Sequence, residues 1–478
     1  MANTPPAVLH RRPDHWRQGL AFLLSMLVLL VWLYHRDEFP SDDSDLRIRG
    51  PLVPNDQNGF AQILKLPVAT LDFPAYAKAH GVTDESTISQ IYDGRTRNDA
   101  LVDAFLAQAR PAFTQLDTIL ALPHFEITGA IASRTKFPEI TAALAAGQAL
   151  RLSALRNLQK GDYAASTRDT LALRLLSLRL SEGYAYLTQY LASNTIYGFS
   201  AVCARDLLND PALPVAQQGL LAASYAANEP TTAALQRSLA IEYQFGAAAL
   251  DQQEREGGFF NPAPPSSFLA YLASLWRHYT LRPNTTRHEL ADYYRDWRSA
   301  LNGTYADIDF PALDAERFGF AKNTGAGVRL TSYLAPNAGG RFFLSQTTIS
   351  PDIVKYAYWE IAADRLLRTG FAIRHYYRDH DILPLTLTAL VPDYLYSLPS
   401  MDGQPFHYDR AHGLIYSVGT SLLNTHGSRF LGLPPTTPNY IDPLADTTQP
   451  SLLLTFQKKL TFPPMVPPPP TPEQQMGN

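Results

Sequence analysis

The sequence predicts a mainly α protein: an N-terminal transmembrane helix, an external helical bundle or short α-solenoid, and a small C-terminal α+β module. Three observations carry that prediction. Residues 19–34, GLAFLLSMLVLLVWLY, contain no charge. Between Pro138 and Gly257 apolar residues recur at helical spacing. Near the end, Phe406-His407-Tyr408 and Leu414-Ile415-Tyr416-Ser417-Val418 are β-rich strings separated by residues 409–413, which is a hairpin signal.

A helix rises about 1.5 Å per residue, so a bilayer core of about 30 Å asks for about 20 residues, with about 17 as a minimum. Trp16 to Tyr34 reaches that length if Arg17 snorkels, and it places an aromatic at each interface. The run ends in Trp32-Leu33-Tyr34-His35-Arg36 without a small-residue cleavage site, which argues against a cleaved signal peptide. Pro13-Asp14-His15 part Arg11-Arg12 from the apolar run, against a twin-arginine signal. Arg11, Arg12 and Arg17 precede the segment; Asp37, Glu38, Asp42, Asp43 and Asp45 follow it, diluted by Arg36, Arg47 and Arg49. That asymmetry predicts a cytoplasmic N-terminus, an anchor in the inner membrane and the bulk of the chain outside the cytoplasm. The expected organisation is a tail (1–18), the anchor (19–36), a linker (37–58), an external helical domain (59–348), a long helix with the α+β module (349–460) and a proline-rich tail (461–478) of disordered composition.

The chain has 478 residues, 46% of them hydrophobic and 18% charged, enough for one large or two moderate cores. A net charge of −4 leaves no overall electrostatic footprint for nucleic acid. Cys203 is the single cysteine, which excludes an intrachain disulfide and a multi-cysteine zinc site, and its neighbours predict a small buried hydrophobe. Arginine outnumbers lysine and Ala and Leu dominate, a composition that suggests a GC-rich bacterial genome.

Helices are expected at 73–80 and 99–120, the second broken or kinked at Pro111, with 84–98 as their connection. Residues 140–159 and 164–180 form the clearest pair. Lys160-Gly161-Asp162-Tyr163 turns between them, and wide leucine stripes predict an αα-hairpin covered on more than one side. Gly161-Asp162-Tyr163-Ala164-Ala165 resembles a tetratricopeptide-type turn, without a repeat of about 34 residues around it. Further helices are expected at 181–208, 215–227, 231–256, 266–279 and 286–301. Residues 323–348 should be loop with at most one hairpin, and a long helix should run from Pro351 to about Arg378, followed by a short helix at 385–391.

One stretch resembles the end of a type II secretion major pseudopilin. It comprises Pro384, Leu387, Leu390-Val391-Pro392, Tyr394-Leu395, Leu398-Pro399, Asp402 to Tyr408, and Gly413 to Gly419. The resemblance implies a long helix leading to a Pro-x-Asp loop, a short β-region and a Tyr-Ser-x-Gly turn. The module also resembles one in large membrane-anchored helical envelope proteins, to which 183–208 is loosely similar. Two departures matter. The pseudopilin processing site is missing and the long helix is separate from the membrane segment, against assembly into a pilus. Residues 420–427 carry no carboxylate where the family binds calcium, so no metal is carried over.

Motifs for chemistry are sparse. The chain holds no Gly-x-Ser-x-Gly, Walker loop or His-Glu-x-x-His; Asp292 stands where His288-Glu289 would need the second histidine. Gly325-Ala326-Gly327 lacks the third glycine of a nucleotide fingerprint. Arg374-His375-Tyr376-Tyr377-Arg378-Asp379-His380-Asp381 is the densest polar cluster. His375 and His380 are candidates for acid–base work there, against a helix end in which Arg and His offset the dipole. Asp251, Glu254 and Glu256 suggest a solvated helix end, and the many tyrosines core edges with one wet end. Glu242, inside an apolar stretch, needs a partner if buried, expected to be an arginine, and is the remaining catalytic candidate. No cofactor is expected. The leading functional reading is a non-enzymatic envelope scaffold that binds another protein through its helical surface. The alternatives are an envelope hydrolase with a dispersed active site, or an accessory part of a secretion or pilus system.

Overall fold

The computed structural model describes residues 20–28, 36–127, 131, 137–256, 280–318, 335–395, 400–418 and 451–456, apart from positions 41, 93, 95, 348 and 401. Residues 19 and 29–35 of the expected anchor lie outside them, as do the helix expected at 266–279, residues 323–334 of the expected loop, residues 420–427 and the proline-rich tail. Residues 20–28 are helical and exposed. Among the described residues no helix is long and apolar enough to cross a membrane.

The chain is mainly helical, with a small three-stranded sheet. The helices are α1 (Gly59–Ile63), α2 (Phe73–Ala79), α3 (Glu85–Tyr92), α4 (Asp99–Leu120), α5 (Pro138–Gln159), α6 (Tyr163–Glu182), α7 (Leu187–Asn209), α8 (Val215–Ala227), α9 (Thr232–Glu256), α10 (Pro283–Ala300), α11 (Phe310–Leu313), α12 (Ala338–Thr347) and α13 (Asp352–His380). The strands are β1 (His407–Asp409), β2 (Leu414–Tyr416) and β3 (Ser451–Leu453). Two compact units divide the chain: one formed by 45–244, 294–311 and 350–478, the other by 1–44, 245–293 and 312–349.

In the larger unit α5, α6 and α7 stack in succession. The α5–α6 turn is an αα-hairpin. Gly161 takes φ +75°, which favours glycine, and the Asp162 carboxylate accepts the Ala165 N–H at 3.0 Å as N-cap. A first apolar core gathers α1 to α7 around Phe60, Phe73, Phe105, Leu116, Leu173 and Cys203. A second joins α7, α8, α13 and the sheet around Tyr197, Leu207, Trp359, Phe371 and Leu452. The strands run β1-β2-β3, all antiparallel, pairing Tyr408 with Ile415 and Ile415 with Leu452. The hairpin thus follows expectation, and β3 joins it from the far end of the chain. Gly370 of α13 lets the sheet and α7 close in: a Cβ there would stand 2.6 Å from Leu452 Cδ2 and 2.7 Å from Leu208 Cδ2.

Several local expectations are corrected. α4 runs unbroken through Pro111, because Pro111 and Ala107, whose carbonyl loses its donor, both face solvent. Residues 85–92 are a helix within the expected connection; Asp84 accepts the Thr87 N–H at 2.7 Å, and Ile88 and Ile91 are buried. The helix expected from 181 starts at Leu187. Gly183 is extended and presses on Phe125, whose carbonyl oxygen would lie 1.7 Å from a Cβ, so α6 and α7 are separate. α12 occupies part of the expected loop, and 385–391 makes only a 3-10 turn at Leu387–Leu390. Part of the expected linker is packed: Leu46 is fully buried, and Gln244 Nε2 donates to the carbonyls of Leu46 and Ile48 at 3.1 and 2.8 Å.

In the smaller unit, Asp37 caps α10 from far away in sequence. Its carboxylate accepts the N–H groups of Asn284 at 2.8 Å and Thr285 at 2.9 Å. α12 lies close to α10 because Gly340 leaves room: a Cβ there would meet Thr286 Oγ1 at 2.0 Å. Ile349 N–H donates to the Tyr293 hydroxyl at 3.0 Å.

Candidate functional site

The three residues singled out as catalytic candidates do not converge. Glu242, on α9, is partly buried, and its partner is the backbone N–H of Leu187 at the first turn of α7, not the arginine expected. A carboxylate at a helix N-terminus satisfies an otherwise unmade donor and meets the positive end of the dipole. Burial outweighs that hydrogen bond and raises the Glu242 carboxyl above its ordinary value. His375 and His380 lie on the exposed end of α13. His375 Nε2 is 3.7 Å from Asp379 Oδ2, and His380 stacks on Tyr376 while its Nδ1 lies 3.0 Å from the Tyr376 carbonyl. His380 thus meets a carbonyl of the last helical turn, and His375 faces a carboxylate one turn on. Asp251 pairs with Arg287, and His288 with Asp292 at 3.2 Å.

The densest buried polar cluster lies instead where α6, α7, α8 and α13 meet, and none of its charged members was singled out from the sequence. Arg174 of α6 is 1% exposed, and Asp364 of α13 is fully buried. Arg174 Nη1 stands 2.7 Å from Asp364 Oδ1, while Nη2 donates to the Asn228 carbonyl. The guanidinium lies 3.9 Å above the Tyr225 ring, and Tyr225 meets Ser200 Oγ at 3.2 Å. Tyr197 hydroxyl reaches Asp364 Oδ1 at 3.5 Å. One turn before Asp364 is Glu360, 5% exposed. Burial pushes Tyr225 up to about 12 and drives Tyr190 and Tyr197 well above the phenol range. At the rim, Glu229 receives Arg365 Nε and Arg368 Nη1, each at 2.6 Å. The sequence signal that marks Glu242, a carboxylate inside an apolar helix, marks Glu360 and Asp364 as well.

This cluster holds buried charge, and two cavities lie away from it. One of about 20 Å³, water-sized, sits beside Arg156 and Asp99, and an open cleft at the end of α7 is lined by Arg205, Asp206, Asn209 and Thr455. Cys203 is buried as expected, its thiol pushed up to about 12 by burial. Of the tyrosines expected at core edges, Tyr186, Tyr190, Tyr293 and Tyr294 are fully interior. Among the described residues no group of His, Cys, Asp and Glu is arranged to hold a metal.

The surface offers a different feature. α8 contains no charged residue, and it buries only Gln218, Leu221 and Tyr225 against the core. At 100° per residue its exposed arc carries Val215, Ala216, Gly219, Leu220, Ala223 and Ala226, with no polar side chain among them. Val215 is 56% exposed and Leu220 53%. A Cβ on Gly219 would meet nothing within 4 Å, so among the described residues no packing accounts for a glycine in mid-helix.

No protein-family model, curated protein or solved structure matches the chain. The pseudopilin-like reading of 384–419 therefore rests on its own residues.

Proposed function

We propose that the protein is a membrane-anchored envelope scaffold that binds a second envelope protein through the uncharged exposed face of α8. The apolar arc of α8 carries the proposal. Water-exposed apolar surface that is continuous along a helix marks interaction sites, and small residues let a second helix approach closely. With no charge on α8, a charged partner would be desolvated without a counter-charge, so the fitting partner presents an uncharged helix or groove. The anchor is residues 19–36, with the N-terminus in the cytoplasm and the remainder outside it. Uncharged sequence and flanking arginines support that placement. A place as an accessory to a secretion machine is a narrower form of the same reading, supported by the residues of 384–419.

The test is a photo-crosslinking residue at position 220 in the full chain within its native envelope, with position 118 on the exposed side of α4 as control. A discrete adduct with one other protein at 220, missing at 118 and lost on Ala223→Glu, is expected. An adduct of twice the chain's own mass would replace the partner by a second copy. No adduct at 220 would remove the reading.

A further inference from the structure

Around Glu360 and Asp364 the buried charges of α13 do not balance; the other buried charge of the helix, Arg374, donates instead to the carbonyls of Leu208 and Leu213. Glu360 and Asp364 stand one helical turn apart, and both are almost wholly withdrawn from solvent. Among the described residues the cation in direct contact with Asp364 is Arg174 of α6, which also acts on Glu360 and is already engaged by Asp364 Oδ1, the Asn228 carbonyl and the Tyr225 face. From α7, Tyr190 and Tyr197 face the two carboxyls, both neutral phenols; from α8 comes Tyr225, also neutral. Arg368 and Glu229 act on Asp364 from the rim with opposite signs. Two carboxyls thus share one guanidinium in a buried site. Among the described residues a second carboxylate there finds no counter-charge of its own, and taking up a proton is the less costly state.

We propose that Glu360 is a buried proton-binding site whose occupancy sets how firmly α13 is held against α6 and α7. The proton sits on the Glu360 carboxyl in the folded protein at neutral pH, and its O–H bond breaks to solvent when the packing opens. Burial, reinforced by the Asp364 charge, pushes the Glu360 carboxyl up to about 8. Asp364 is also pushed up by burial, to about 6, but Arg174 keeps it ionised at neutral pH. A carboxyl whose folded value lies above its unfolded one binds its proton more tightly when folded. Its contribution to stability is complete below the ordinary carboxyl range near about 4.3, and it is lost as pH rises from there to about 8. Acidification tightens α13, and alkalinity loosens it.

The experiment measures protons released on urea unfolding of the full chain at about pH 7 in weak buffer, with melting temperature followed from about pH 5 to about pH 8. Wild type should release about one proton per chain more than Glu360→Gln, and its melting temperature should fall with pH more steeply than the variant's. Glu360→Leu is the second variant; it fills the site without a proton-binding group and should release as few protons as Glu360→Gln. Equal proton release and parallel melting profiles in wild type and Glu360→Gln would overturn the proposal. Should that variant not fold, release from Glu360→Leu equal to that of wild type overturns it as well.

Discussion

Asp37 and Asp364 are acidic residues answered in two ways, and each answer predicts its own behaviour. Asp37 caps α10 through backbone N–H groups. Burial raises its carboxyl, but the hydrogen bonds from Asn284, Thr285 and Glu38 outweigh burial and hold it below the ordinary range. A lowered folded value gives stability that is present above the unfolded value near about 3.9 and lost as pH falls through the folded one. Asp37→Asn should therefore cost about 1 kcal/mol at neutral pH, and the difference should shrink on acidification below about pH 4, as read by melting temperature. Asp364 is answered by a buried guanidinium. Arg174→Met leaves an unpaired buried carboxylate and should cost about 3–5 kcal/mol in urea unfolding, while Arg174→Met with Asp364→Leu should cost clearly less than the sum of the single changes. Additive losses would show that the two residues act independently.

At the scale of elements, helix ends and helix faces behave differently. α4 tolerates Pro111 because the lost hydrogen bond lies on its wet side. Pro111→Ala should stabilise the fold, by up to about 3 kcal/mol. In α8, Gly219→Ala should add about 0.5–1 kcal/mol of thermal stability, because the position is mid-helix, exposed and unobstructed. If α8 is the docking face, the same substitution should weaken the adduct formed at position 220. A gain in stability with an unchanged adduct would place the partner elsewhere. The break between α6 and α7 depends on Gly183. Gly183→Ala drives a Cβ into the Phe125 carbonyl and should destabilise by more than a surface substitution, about 2 kcal/mol or more.

For the whole molecule, the proposal of an N-terminal anchor and the packing of the segment that follows it make separable predictions. Removing residues 1–35 should free the protein from membranes under carbonate extraction and leave the melting temperature of the folded units unchanged. Removing residues 1–44 also takes Asp37 from α10, and should lower stability in addition. Retention of the shorter truncation in the membrane fraction would exclude 19–36 as the sole attachment.

The sequence by itself determined the helical class, the αα-hairpin at Gly161-Asp162, the two ends of helix α4 though not its unbroken passage through Pro111, and the β1–β2 hairpin, because periodicity, caps and turns act over a few residues. It also determined that Cys203 is interior. What only the tertiary structure decided is pairing between distant positions. β3 joins a strand pair that precedes it by more than thirty residues, Asp37 caps a helix nearly 250 residues later, and Glu242 finds a helix N-terminus in place of an arginine. Glu360 and Asp364 become a site only once α6 delivers Arg174 to them. A carboxylate's spacing along a helix shows which face it shares. Whether that face is dry, and which charge stands opposite, depends on elements that the local pattern does not contain.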